Sequence, residues 1–257
     1  MRWILNHTPT APLGLGIVGL AVVVALFFLV LARRAAVDTV ANDALGVLFT
    51  VVGIVYGIML AFAIVILWSN FEAARQTVGN EASALAAVVT DTRPLAMADR
   101  QQVDHAVTNY IRAITVDEWR TMRVGRESAL AEKAREGLVL ALQQAHLAPG
   151  VQTTWYDQAA MKVNDVVTAR RQRLDASQGQ LPFPFEILIF VGSLIPIAFM
   201  PLVRVPHRSI HALMVVVVAA LVGYALFLVV LLGYPFSGTV SVSTEPFHIG
   251  VLARLSP

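Results

Sequence analysis

Four apolar stretches constrain this chain more than any other feature. Residues 13–32, 44–68, 184–203 and 210–234 are nearly free of charge. Each is long enough to cross a hydrocarbon core of about 30 Å, which takes about 20 helical residues. Between the second and third lies a polar insert, residues 69–183, with 13 Lys and Arg against 13 Asp and Glu. The pattern predicts an all-α membrane protein: four transmembrane helices with a helical-bundle insert between the second and third spans. The expected divisions are a first transmembrane pair over 13–68, an extramembrane bundle over 69–183, a second pair over 184–234 and a C-terminal tail over 235–257.

Composition removes several function classes. Charged residues make up 14% of the chain, against about 25% in a soluble domain. The net charge of +2 arises wholly outside the insert, and no basic stripe or acidic tail exists. Nucleic acid is therefore not an expected partner; the lipid bilayer is. The absence of cysteine excludes disulfides and thiolate metal sites. No nucleophile elbow, phosphate loop, zinc-protease motif or dinucleotide fingerprint occurs, so neither an enzyme nor a cofactor is expected. The first span reads as retained rather than as a signal peptide. Its apolar run exceeds an h-region of about 7–15 residues, and the basic pair Arg33–Arg34 follows the run instead of preceding it.

The second span carries small residues at Gly46, Thr50, Gly53, Gly57 and Ala61. Steps of 3 and 4 put all five on one helical face, and Gly53 with Gly57 forms a GxxxG pair that admits close approach. Two readings stand: ordinary helix packing, or a stripe facing a pore or a neighbouring subunit. Asp43 is placed to cap this helix. No breaker follows Trp68, and Phe71, Ala74, Val78, Ala82, Leu85 and Val89 continue at helical steps. The spacing predicts one helix from Ala44 to Thr90, ended by Arg93–Pro94.

Three further helices are predicted in the insert, forming an antiparallel bundle. Residues 98–123 place Val103, Val107, Tyr110, Ile114 and Trp119 on one face. Residues 127–147 carry Leu130, Leu138, Leu142 and Leu147, before a break at Pro149–Gly150. Residues 154–176 bring Trp155, Ala159, Val163, Val166 and Val167, then Arg170, Arg171 and Arg173. Gln178 to Pro184 is a break, and Pro196 and Pro201 are expected to kink the third span. If helices 98–123 and 154–176 run antiparallel, the pair Glu118–Trp119 and the arginine cluster lie at opposite ends, with Glu81 a partner for either. Glu81, Glu118, Arg170, Arg171 and Arg173 then form ordinary ion pairs or line an ion vestibule.

Arg33, Arg34, Arg204 and Arg208 lie close to spans in the two short loops. The positive-inside rule puts those loops in the cytoplasm and the insert outside it. A wider window adds Arg75, Arg170, Arg171, Arg173 and Arg254 to the other face, so orientation stays open. His207 and His211 have the spacing of two metal ligands, but no third ligand is near in sequence and interfacial placement is expected. Glu186 enters the third span by three residues, as an interfacial carboxylate or a functional acid.

Motifs in this order resemble the bestrophin-like family of bacterial membrane proteins. They are Asp43-x-x-Gly46, Tyr56-x-x-x-Leu60-Ala61-Phe62 with Trp68 six positions on, and Glu81-Ala82-x-x-Leu85. Tyr110, Glu118-Trp119, Arg170-Arg171-x-Arg173-Leu174, Leu181-Pro182 and Pro235-Phe236-x-Gly238 complete the set. They cover residues 43 to 250. The resemblance implies a relation to bestrophins, pentameric anion channels whose second span lines an axial pore. It assigns residues 46–62 to the pore, with homo-oligomerisation and small ions as ligands. It implies no calcium site, because Thr239-Val240-Ser241 stands where animal bestrophins have an acidic clasp. The expected function is a homo-oligomeric, anion-conducting channel in the bacterial inner membrane. The alternative is a non-conducting signalling or scaffold protein. A proton-driven stator subunit ranks last, since no span has a central Asp or Glu.

Overall fold

The computed structural model describes residues 2–33, 39–146, 153–179 and 181–256. The expectations for Arg34, Asp38, Leu147 and Pro149–Gly150 lie outside the described residues. Ten α-helices and no strand occur among the described residues, and the protein is an all-α, multi-pass membrane protein. The chain divides into two compact units.

The first unit holds residues 3–69 and 180–233. It contains α1 (Arg2–His7), α2 (Thr10–Ala32) and the first part of α3 (Thr39–Asp91). Starting at Thr39, α3 takes Asp43 into its second turn, so Asp43 does not cap it. The remaining helices of this unit are numbered below in chain order. α2 packs on the last of them along a seam of small residues. Ala21 and Ala25 meet Val215 and Ala219. At Gly223 the helices are so close that a Cβ would stand 2.9 Å from the Val18 Cα. This is the close approach that glycine permits between apolar helices.

The second unit holds residues 70–179 and 234–257. The later part of α3 lays Ala74, Val78, Ala82, Leu85 and Val89 into its core, as their helical spacing predicts. The helix stops at Asp91. There the Thr92 hydroxyl donates to the Val88 carbonyl (2.8 Å), and Pro94 disfavours continuation. Next come α4 (Met97–Arg112), a π-helical turn (Ala113–Glu118) and α5 (Trp119–Met122). The π turn departs from the single regular helix expected. Its closing bond runs from the Trp119 N–H to the Ile114 carbonyl, five residues back, so Trp119 comes over Ile114 and joins the buried face with Glu118. Gly125, at φ 72°, ends α5. The Arg126 N–H reaches the Thr121 carbonyl (3.0 Å) and the Gly125 N–H the Met122 carbonyl (2.9 Å), a Schellman stop that needs a left-handed residue.

α6 (Ala129–Gln143) is capped by Ser128, whose Oγ accepts the Ala131 N–H (3.1 Å). α7 runs from Thr154 to Ser177. Two predicted core residues are corrected here. Leu130 is 61% exposed and Trp155 is 44% exposed. Each stands in the first turn of its helix, and Ala131 and Ala159 take the buried register instead.

In the first unit again, the third span is broken, as its prolines predict. α8 (Phe183–Gly192) and α9 (Leu194–Phe199) are separated at Ser193, and a 3₁₀ turn covers Met200–Leu202. Pro196 has no N–H to return to the Gly192 carbonyl. Pro184 lies inside the first turn of α8, so the preceding break ends before it. α10 is Arg208–Leu232.

The segment after α10 belongs to the second unit. It folds into 3₁₀ turns at Glu245–His248 and Gly250–Arg254. Phe236, Val242, Phe247 and Leu252 are buried in the same core as α3 to α7.

Candidate functional site

Two groups of sequence-predicted residues are placed by the fold, one in each unit. The first is the α3 stripe. Gly46, Gly53 and Gly57 have nothing within 4 Å of where a Cβ would stand. Thr50 and Ala61 are exposed on the same face, and the Thr50 hydroxyl is turned back onto the Gly46 carbonyl (2.9 Å). The stripe is therefore uncovered by the described residues of its own chain. The face of α3 beside the stripe is anchored: the Tyr56 hydroxyl donates to the Ile189 carbonyl (2.9 Å), and Gly192 makes room for the Tyr56 ring.

The second group is a buried ionic cluster in the second unit. Arg173 is fully buried and forks onto Glu81, with Nε to Oε2 at 2.6 Å and Nη2 to Oε1 at 3.1 Å. Its Nη2 also donates to Glu118 (2.8 Å), and its Nη1 to the Met122 sulfur (2.8 Å). Arg170 forks onto Glu118 (2.6 and 3.1 Å) and donates to Glu132. The Tyr110 hydroxyl donates to Glu81 (2.7 Å). The Trp119 ring lies under the Arg173 guanidinium, 5.0 Å from its centroid, in cation–π geometry.

This arrangement corrects one expectation. Glu118 and the arginines do not lie at opposite ends of the bundle; they touch. The helix that starts at α4 and α7 are separated by α6, so two reversals return the chain to its first direction. Their C-terminal ends therefore coincide. Arg171 is exposed and stands apart from the cluster.

Burial and pairing oppose each other at Arg173, Arg170 and Glu132. Burial alone would lower the Arg173 pKa; the Glu81 charge and hydrogen bond, with Glu118, outweigh it and raise the value. At Arg170 burial, the largest single effect, lowers the value, and the hydrogen bond and charge of Glu118 with further partners outweigh it and raise it. Tyr110 is held well above the usual phenol range, first by burial and then by the neighbouring Glu81 charge. Glu132 is lowered, first by its hydrogen bond from Arg135. The Tyr110 hydroxyl and the two guanidinium groups donate, and the Glu81, Glu118 and Glu132 carboxyl oxygens accept.

Tyr110, Glu132 and Met122 were not singled out as site residues from the sequence. The signal for the cluster was register. Glu118 falls four residues after Ile114, and Arg170 and Arg173 fall four and seven after Val166, so charge occupies core positions. His207 and His211 stand at the start of α10, and among the described residues no group of three His, Cys, Asp or Glu is placed to hold a metal. Glu186 lies in the first turn of α8.

The model of the Bestrophin-like domain matches residues 15–247. No curated protein matches the chain. Among solved structures, one crystal structure of a variant of the bacterial bestrophin homologue from Klebsiella pneumoniae is 15% identical, with a TM-score of 0.72, covering 93% of this chain and 94% of that one. A second variant of the same homologue is 14% identical, with a TM-score of 0.70, covering 90% of this chain and 95% of that one. At such identities the likeness establishes the fold.

Proposed function

The chain belongs to the Bestrophin-like family, and on that footing we propose that it is a homo-oligomeric, anion-conducting ion channel. Its axial pore is lined by the α3 stripe Gly46, Thr50, Gly53, Gly57 and Ala61. The observation that carries this reading is a contrast between glycines. Gly223 is packed against backbone within its own chain, whereas Gly46, Gly53 and Gly57 meet nothing. A spanning helix with an uncovered small-residue face suits neighbours around an axis, and a narrow apolar constriction can gate by dewetting. Family resemblance favours five subunits. Small ions are the ligands, and neither catalytic residues nor a cofactor is assigned. The buried cluster holds the bundle rigid, and exposed Arg171 is the vestibule cation. The arginines nearest the spans favour a bacterial inner-membrane protein with its insert on the non-cytoplasmic side.

Purified protein in planar bilayers should carry current, with reversal potentials under a salt gradient that report anions. Gly53→Leu or Gly57→Leu should cut the unit conductance several-fold while the oligomer survives. Silent bilayers from an intact oligomer would replace this reading with the non-conducting signalling or scaffold protein. A fluorescent reporter fused after the tail, which follows an even number of spans, should be dark if the insert lies outside the cytoplasm; bright fluorescence there reverses the orientation.

A further inference from the structure

Two grooves lie on different sides of the extramembrane bundle. α6 packs against both α4 and α7, and α7 lines a groove with α3. The helices are therefore ordered α4, α6, α7, α3, and the α4–α6 groove lies opposite the α7–α3 side. The first groove, of about 1030 Å³, has a small-residue floor at Ala113, Ala134 and Gly137. Val116 and Leu130 stand on its walls at 66% and 61% exposed, which is costly apolar exposure outside the membrane. Its rim carries Arg112 and Lys133 against one acid, Asp117. That acid is already engaged, accepting from Ser128 and lying 3.7 Å from Arg120.

The opposite side has the complementary features. Met161 projects from α7, 57% exposed. Asp157 and Asp165 flank it one turn away on either side, and Asp91 of α3 lines the same hollow. Among the described residues lining it Lys162 is the one cation, paired with Asp165 at 2.9 Å. A methionine is long, unbranched and adaptable, and fits a floor of alanine and glycine.

We infer that the α4–α6 groove of one subunit receives the Met161 ridge of the next, making a head-to-tail interface between extramembrane bundles. The occupant is a second copy of this chain, and the inference rests on the homo-oligomeric reading above. Basic rim meets acidic ridge, and the exposed apolar side chains of each cover those of the other. Different faces on opposite sides of one bundle make a heterologous contact, which closes into a ring when each step is a rotation about one axis. An isologous contact would bring like charge to like charge.

The absence of cysteine makes the test clean. Two double variants, Gly137→Cys with Met161→Cys and Leu130→Cys with Met161→Cys, are oxidised as the purified native oligomer and run on a denaturing gel. The Gly137 site has open space for a side chain. Both pairs should give a ladder of covalent species ending at the ring size found by native mass measurement. Met161→Cys alone should stay monomeric on the gel. The interface is wrong if neither pair ladders while the protein remains an oligomer, or if Met161→Cys alone gives a dimer. Conduction without cross-links removes this interface and leaves the channel standing; a cross-linked ring that is silent in bilayers does the reverse.

Discussion

Removing the Arg173 guanidinium leaves Glu81 without its fork and Glu118 with one donor fewer, both in a dry core. Breaking a buried pair in this way costs about 3–5 kcal/mol. Arg173→Ala should therefore lower the thermal midpoint of the purified protein sharply, whereas Arg171→Ala, on the exposed face, should stay within about 0.5 kcal/mol of the parent. Glu132 supplies the pH dependence. Its pKa is lowered in the folded chain, first by Arg135 and then by Arg170 after a smaller opposing effect of burial. Its stabilisation is thus complete above the unfolded value of about 4.3 and fades as pH falls through the folded one. Glu132→Gln should flatten the acid limb of a stability-against-pH curve; an unchanged limb would remove Glu132 from the account. The sequence made half of this visible. Charges in core register marked the positions, but counting along single helices cannot say which charge faces which. The parity of the two intervening turns decided that Glu118 meets Arg170 and Arg173.

α2 and α10 depend on one glycine for their approach. A leucine at Gly223 would drive its Cβ into the Val18 backbone, and overpacking of this kind costs about 1–3 kcal/mol. Gly223→Leu should make the first unit unfold at lower denaturant, while Gly46→Ala, with open space around it among the described residues, should not. Equal effects would mean that the two glycines share one environment. Apolar length marked the four spans, and uninterrupted periodicity predicted one helix from Ala44 to Thr90; the observed α3 starts earlier, at Thr39, and runs 53 residues, about 80 Å at 1.5 Å per residue. The π turn escaped that method. A period of 3.6 residues per turn has no place for the extra residue that brings Trp119 over Ile114. In the structure Trp119 is buried, edge-on to Phe236 at 5.7 Å and Phe247 at 6.2 Å, with its indole N–H on the Val242 carbonyl (3.2 Å).

At the scale of the whole molecule, the order of the chain and the order of the core disagree. Residues 235–254 follow two further spans, yet they complete the bundle that α3 to α7 begin. Deleting residues 235–257 should leave the insert open to protease at sites protected in the full chain. Phe247→Ala should cost about 3–5 kcal/mol, as for other aromatic truncations in a core. A truncated protein with unchanged protease resistance would reduce the tail to an ornament. No sequence pattern announced this packing, because its apolar residues sit in 3₁₀ turns and loops that lack a regular period. The consequence is kinetic. The contacts of Trp119 with Phe236 and Phe247 join residues far apart in sequence, and such non-local contacts form late. During synthesis, α4 to α7 emerge with an aromatic-lined gap, and they keep it until α8, α9 and α10 have been made. Maturation of the polar insert is thereby tied to insertion of the last two spans, and a chain stalled before them presents an unfinished core to the cell's proteases.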